Sequence, residues 1–147
     1  SSDVCSSDLT RQRSIVSDFA RLEAIFMVDN APVAASDEDL EVYLQYLESF
    51  YNTKALDEKP GAVYAGLHGE LVGKNAALTW KMRQYALVSS QNNTDLLPYY
   101  FALLEWVLPV VCYTSMPMNI KILAMNLSGI LCEKIDKHLQ SRSSGCA

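Results

Sequence analysis

Three polar clusters contain residue types that could bind a cation or transfer a proton. Residues 37–41 contain four carboxylates, Asp29-Asn30 follows an apolar segment, and His68-Gly69-Glu70 lies among apolar residues. Carboxylates and imidazoles supply ligands for metal ions and acid–base groups for catalysis. Each cluster also has a structural explanation, and the residues around it decide between the two.

The acidic run is explained by its position at the start of a helix. Ser36 precedes Asp37, Glu38 and Asp39, and its hydroxyl is a favoured N-cap. Acidic side chains in a first turn also compensate the positive end of the helix dipole. The run lacks the Asp/Asn-Gly spacing of an EF-hand loop. It therefore predicts a helix start and no calcium site.

Neither histidine has the neighbours that metal chemistry needs. A di-iron bundle carries Glu three residues before each His, and neither His68 nor His138 has one. We predict that both are partly exposed and hydrogen-bonded locally. No Gly-x-Ser-x-Gly nucleophile motif occurs, and Gly73-Lys74 is followed by Asn75, so a phosphate-binding P-loop is also excluded. We predict no catalytic, cofactor-binding or metal-binding residue and no cofactor.

Asp29-Asn30, which follows Ile25 to Val28, resembles the aspartate-rich helix end of the isoprenoid synthases. That resemblance implies an all-α enzyme that holds Mg²⁺ and diphosphate between two acidic motifs. This chain has one Asp where the family has a pair, and Asn126 is followed by Ile130 and Lys134 in place of Ser and Glu. We therefore keep an isoprenoid-type enzyme only as part of an alternative function.

Charge and composition exclude nucleic acid as a partner. The formal net charge is -5, and the largest basic group is Arg11 with Arg13. A phosphate-binding face needs clustered Lys and Arg. Half of the residues are hydrophobic and a fifth are charged, which is typical of a folded domain.

The two ends of the chain are set apart from the domain. Residues 1–9 (SSDVCSSDL) resemble a translated sequencing adapter, so we interpret them as non-native; a disordered native terminus is the alternative. We predict a single all-α domain at 10–140, either whole or a piece of a longer protein, and a flexible tail at 141–147.

Of the four cysteines, only Cys112 and Cys132 lie within the predicted domain. On adjacent antiparallel helices that turn near Met116 they would be about 18 Å apart, whereas a disulfide needs Cα atoms within about 7 Å. We predict buried, reduced thiols and a cytoplasmic location.

Helical periodicity recurs along the chain. A helix is predicted over 11–28, where Ile15, Phe19, Leu22 and Phe26 recur at helical spacing, and it is predicted to end at Asn30-Ala31-Pro32. In the second helix one apolar face is predicted, formed by Leu40, Tyr43, Leu44, Leu47, Phe50 and Tyr51. The helical pattern resumes at Lys74 and continues through Leu78, Met82, Tyr85 and Val88. Before it, Gly66, Gly69 and Gly73 indicate close backbone packing or a break near Gly73.

The last two helices are predicted to form a long antiparallel hairpin. The first runs from Leu96 to Tyr113, with Pro98 in its first turn and a kink at Pro109. Since Glu105 lies in the middle of this apolar stretch, we predict a buried helix and no membrane span. Trp106 and Leu127 are predicted to be core residues. The second helix is predicted to bury Ile120, Leu123, Leu127, Ile130 and Leu131.

One internal similarity is typical of helical repeats. Lys74, Ala77 and Leu78 match Lys121, Ala124 and Met125 at an offset of 47 residues. With the hairpin, chiefly residues 95–140, this resembles HEAT and armadillo repeats, whose period is about 40 to 47 residues. The resemblance implies a scaffold built from stacked helix pairs.

The sequence predicts an all-α protein: a helical bundle or short α-solenoid of about five to six helices. The predicted function is a non-enzymatic protein-interaction or scaffold module with a protein partner. The alternative is a bundle that binds a small apolar molecule, as a sensor domain or an isoprenoid-type enzyme. We interpret an aromatic set as core, and in the alternative function the same side chains would line the pocket: Trp80, Tyr85, Tyr99, Tyr100, Phe101 and Trp106.

Overall fold

The computed structural model describes residues 15–33, 37–91 and 93–144. These residues form five α-helices and no strand, so the predicted all-α bundle is confirmed. The helices are α1 (residues 15–24), α2 (Asp37–Phe50), α3 (Gly69–Ser89), α4 (Leu97–Val107) and α5 (Met118–Ser144). The adapter-like segment 1–9, Arg11, Arg13, the Ser36 cap and Cys146 lie outside the described residues.

The first helix ends where the sequence predicted, but it buries a different face. It continues as a π-helical turn, Ile25–Asp29, in which Asn30 N donates to Ile25 O at 2.8 Å. The buried side chains are Ala20, Glu23, Ala24 and Met27, whereas Leu22 is 41 % exposed. The apolar spacing through Leu22 therefore does not coincide with the buried face, which includes Glu23.

The second helix packs as predicted. Leu40, Tyr43, Leu47 and Phe50 are buried along one face because they recur at helical spacing. The Tyr43 hydroxyl donates to Met27 O at 3.0 Å and so ties α2 to the end of α1.

Of the three neighbouring glycines, only Gly66 is required by close packing. A Cβ on Gly66 would lie 2.3 Å from the ring of Tyr64, which itself packs edge-on against Tyr43 and Tyr46. A Cβ on Gly73 would meet nothing within 4 Å, and α3 passes through that residue without interruption. The expected break near Gly73 is therefore wrong.

The third helix also turns a different face inward. Its buried residues are Val72, Asn75, Thr79, Met82, Arg83 and Ala86. Of the four apolar residues that form the helical pattern after Lys74, only Met82 is buried; Leu78, Tyr85 and Val88 are 47 %, 63 % and 70 % exposed. The helix ends near Gln91, which has a left-handed backbone (φ 59°) that an α-helix cannot continue.

The fourth helix shows the predicted effect of its two prolines. Pro98 lies in the first turn, where the Asp95 Oδ1 accepts the N–H of Leu97 at 3.0 Å. At Leu108 the α-helix gives way to a 3₁₀-helix, Leu108–Cys112, which contains Pro109. Among the described residues no helix is both long and apolar enough to cross a membrane.

The contacts between α4 and α5 are those of an antiparallel pair. Asp95, just before α4, contacts His138 Nε2 at 2.9 Å and also pairs with Arg142, near the end of α5. The predicted stripe of Ile120, Leu123, Leu127 and Leu131 is buried. Because α5 continues to Ser144, residues 141–144 are helical where a flexible tail was expected, and 145–147 lie outside the described residues.

Three predicted core residues lie at the surface. Trp106 is 37 % exposed: Arg21 lies 4.9 Å above its ring, and its Nε1 donates to Ser17 Oγ at 3.1 Å. Trp106 therefore covers α1 and does not fill the α4–α5 interface. Cys112 and Cys132 are free thiols, as predicted, but both are exposed.

The two segments with the 47-residue similarity lie in α3 and α5. Leu78 and Met125 are exposed in both, whereas Ala77 is exposed and Ala124 is fully buried. The helical repeat stays a prediction.

We expect the buried and outer faces of α5 to differ sharply in their effect on stability. Leu127 is fully buried and Met125, on the same helix, is 61 % exposed. Leu127→Ala should lower the free energy of unfolding by about 2 to 5 kcal/mol, because the change leaves a cavity. Met125→Ala should change it by less than about 0.5 kcal/mol. Urea denaturation measures both, and equal losses would show that the face of α5 is misassigned.

Candidate functional site

The polar residues that the sequence singled out do not come together. His68 is exposed just before α3, whereas His138 pairs with Asp95 beside α4. Asp29 is exposed at the end of the π-helical turn. Within the described residues, no three His, Cys, Asp or Glu side chains are grouped so that they could hold a metal ion.

The aromatic set is divided between the core and the surface. Tyr99 and Tyr100 are buried among the helices, whereas Tyr85 is 63 % and Phe101 is 50 % exposed. These side chains therefore do not line one common pocket. An apolar ligand would have to bind elsewhere.

The most polar part of the interior is an ion pair that the sequence reasoning missed. The side chains of Glu23 on α1 and Arg83 on α3 are both 0 % exposed. Arg83 Nη2 donates to Glu23 Oε1 at 2.8 Å, and Nε donates to Oε2 at 3.0 Å. Two parallel bonds of this kind form the strong, directional fork that arginine makes with carboxylates.

Two tyrosines complete the hydrogen bonds of the carboxylate. The Tyr51 hydroxyl donates to Glu23 Oε1 at 2.8 Å, and the Tyr99 hydroxyl donates to Oε2 at 2.7 Å. The Arg83 guanidinium lies 5.1 to 5.9 Å from the ring centroids of Phe50, Tyr51 and Tyr99, within the range of cation–π attraction. One residue pair thus joins α1, α3, α4 and the end of α2.

Burial and charge shift the pKa values of these groups strongly. Burial alone would lower the pKa of Arg83, but the Glu23 carboxylate raises it by more, so the guanidinium keeps its charge. Burial raises the pKa values of Tyr51 and Tyr99 well above the usual range, and the Glu23 charge raises them further. Tyr46 lies at the edge of the cluster, where burial raises its pKa to about 12.

The hydrogen-bonding positions of the Glu23 carboxylate are all filled from within the protein. Each oxygen of Glu23 accepts one bond from Arg83 and one from a tyrosine, so the carboxylate has no free position for a substrate proton. Both charged side chains are closed off from solvent. The cluster determines how α3 is oriented, because it fixes which side of that helix faces the interior.

The large apolar side chains of α3 that remain exposed form a row, which we call the outer face, beside the buried side of the helix. It consists of Leu71, Leu78, Tyr85 and Val88, which are 46 %, 47 %, 63 % and 70 % exposed. The first three are seven residues apart and therefore lie nearly above one another on a helix. The exposed Lys74 and Lys81 run beside this row with the same spacing.

Neighbouring residues extend the outer face at its side and at its start. The rings of Phe19 and Tyr85 stack with centroids 6.3 Å apart, and Asn75 Nδ2 donates to Phe26 O at 3.1 Å. Leu22, exposed on α1, lies between these two contacts along the chain. At the start of α3, an open depression of about 360 Å³ is lined by Leu67, His68, Glu70, Leu71 and Lys74.

A second surface depression lies between α2 and α5. It measures about 380 Å³, and its lining comprises Gln45, Glu48, Ser49, Asn52, Ile130, Glu133, Lys134 and Lys137. Both of its lysines bind within the protein: Lys134 donates to Asn52 Oδ1 at 3.0 Å, and Lys137 pairs with Glu133 at 2.5 Å. A groove of paired, mixed charge has no net preference for an anion or a cation.

Comparisons with protein-family models, curated proteins and solved structures find no match to this chain. Among the described residues, the outer face of α3 is an apolar surface that the bundle leaves exposed.

We expect either half of the buried ion pair to be essential for stability. Glu23→Leu or Arg83→Met leaves an unpaired charge in the interior and should lower the free energy of unfolding by about 3 to 5 kcal/mol. The double variant should lose less than the two single losses added together. Glu70→Gln with Lys74→Met removes an exposed pair and should change stability by less than about 0.5 kcal/mol. Urea denaturation of these four variants decides whether the pair is as buried as described.

We also expect alkaline pH to unfold the chain before its buried tyrosines ionise. Burial raises the pKa values of Tyr43, Tyr51 and Tyr99 in the fold, whereas unfolded tyrosine titrates near about 10. Their contribution to stability is thus complete below about pH 10 and is lost as the pH rises above it. Three such groups lower stability by about 4 kcal/mol per pH unit.

Tyrosinate absorbance and helical circular dichroism, followed together, test this expectation. The buried tyrosines should ionise only as the helical signal falls. Titration of all eight tyrosines near pH 10 with the helices intact would contradict the burial of the cluster.

Proposed function

We propose that this chain is a non-enzymatic helical protein-interaction module whose contact surface is the outer face of α3. The observation that carries the proposal is the orientation of this helix. Arg83, Thr79 and Asn75 face the interior, while Leu78, Tyr85 and Val88 face solvent. Contiguous exposed apolar rows are uncommon on monomeric proteins and are typical of surfaces that meet a partner.

The types of side chain on the outer face of α3 also support its assignment as the contact surface. Tyrosine, tryptophan and arginine side chains near the centre of a protein–protein contact contribute most of its binding energy. Tyr85 stands at the middle of such a surface, between Leu78 and Val88, and its ring already stacks on Phe19. A partner helix placed along this row would cover side chains that the bundle itself leaves in water.

The outer side of α5 is a weaker candidate. Met118, Ile122 and Met125 are exposed at helical spacing, but the row then reaches Gly129 and, one turn beyond Cys132, the charged Asp136. The outer face of α3 keeps apolar residues from its first turn to its last. We therefore assign the contact to α3.

Two further parts of the proposal rest on other residues. The antiparallel contact of α4 with α5 is compatible with a HEAT-like scaffold unit over residues 95–140. The free, exposed thiols of Cys112 and Cys132 support a cytoplasmic location, where thiols are kept reduced.

Selection of binding peptides tests the proposed contact surface. A phage library of random helical peptides is selected on the wild-type chain, and the selected peptides are then titrated against variants. Leu78→Asp should weaken their binding at least about tenfold, because it places a charge in the apolar row. Met125→Asp, at an equally exposed apolar position on α5, should bind them as the wild type does.

The opposite pattern, with binding lost in Met125→Asp and retained in Leu78→Asp, would place the contact on α5 and refute the assignment.

The small-molecule alternative is tested by measuring thermal unfolding of the chain in the presence of farnesol or lauric acid. Stabilisation by about 2.7 kcal/mol at a hundredfold excess over Kd would favour that alternative.

A further inference from the structure

The lysines beside the apolar row give the outer face of α3 a charge preference. Lys74 and Lys81 are exposed, lie seven residues apart and are therefore separated by about 10 Å along the helix. Lys74 is paired with Glu70 at 2.6 Å across one turn, and Lys81 has no ion pair within the described part of the chain. With two lysines against one glutamate, this edge carries one net positive charge, on a chain whose formal net charge is -5.

We infer that the outer face of α3 binds an amphipathic helix of a partner protein whose apolar row is flanked by carboxylates. This rests on the proposed interaction function and specifies the partner. Leu71, Leu78 and Tyr85 contact the apolar row of the partner helix, as in other helix-in-groove interactions. Carboxylates seven residues apart on the partner face Lys74 and Lys81, so charge sets the register while apolar contact supplies the affinity.

A second copy of this chain is a poor occupant of the same face. If two copies of α3 packed antiparallel about Leu78, Lys74 of each copy would lie beside Lys81 of the other, about 1.5 Å apart along the axis. This arrangement brings like charges together at a surface that excludes water, which disfavours antiparallel self-association through this face.

An anionic membrane is also disfavoured. Lipid-binding helices carry about four to eight clustered Lys or Arg residues, whereas the outer face of α3 offers Lys74 and Lys81 and carries Glu70 at its start. The net negative charge of the chain opposes approach to an anionic surface.

Three synthetic helical peptides test the inference. All carry leucines at seven-residue spacing, and the flanking positions are Glu in the first peptide, Gln in the second and Lys in the third. Fluorescence anisotropy with the full chain should rank their affinities as Glu, then Gln, then Lys, with about tenfold between the first and the last. Added KCl should reduce this difference because it screens charges at the edge of an interface.

Charge reversal on the chain provides the decisive comparison. The double variant Lys74→Glu with Lys81→Glu should invert the order and bind the Lys-flanked peptide most tightly. The matched control, Lys121→Glu with Lys137→Glu on α5, should keep the wild-type order. Urea denaturation of both double variants checks that each remains folded.

The possible outcomes separate this inference from the function on which it rests. Equal binding of the three peptides, abolished by Leu78→Asp, would overturn the charge preference but leave the contact surface in place. Absence of binding by the Glu-flanked peptide would overturn the inference. The phage selection would then still decide whether the outer face of α3 is the contact surface. Sedimentation that shows self-association lost in Leu78→Asp would identify a second copy as the occupant. Charge-dependent binding to phosphatidylserine vesicles would identify a membrane, and either result would overturn the inference.

Discussion

The ion pair between Glu23 and Arg83 fixes the rotation of α3 about its own axis. Arg83 can reach the Glu23 carboxylate only if its side of the helix faces α1, and the neighbouring positions at helical spacing then face inward as well. Thr79 and Ala86 are buried for this reason. The same rotation carries the row from Leu71 to Val88 to the outside. The exposed apolar face and the buried charges are therefore two results of a single constraint.

The energies of the two possible rotations explain why the charged side is buried. Turning α3 over would complete the burial of Leu78 and Tyr85, and full burial of such a side chain contributes about 1.5 to 3 kcal/mol. Both are already partly covered, so the gain is smaller than that. The same rotation would leave Glu23 unpaired in the interior, at about 3 to 5 kcal/mol, and would remove its bonds to the tyrosines. A partner helix covers the outer face without that loss.

The sequence predicts helices well here, and predicts their buried faces only where one side is clearly apolar. In α2 and α5 the apolar stripe is also the core, so both faces were predicted correctly. In α3 the apolar pattern crosses the edge of the buried face: Leu78 and Met82 are one turn apart, yet Met82 is buried and Leu78 is exposed, and periodicity alone does not show where the buried face ends. That edge depends on Arg83 meeting a residue 60 positions away in the chain. A long-range pair of this kind leaves no mark in local hydrophobic spacing.

The candidate site is hard to predict for the same reason. Leu78, Tyr85 and Val88 were recognised in the sequence as an apolar row, but a row that binds a partner has the same pattern as a row that fills a core. The lysines at its edge are the one local difference, since the buried side of α3 has no lysine. Lys74 and Lys81 keep an apolar face hydrated while it is empty and oppose its pairing with a second copy. The charges inside the bundle determine which side of α3 is exposed, and the charges outside it restrict what that side can bind.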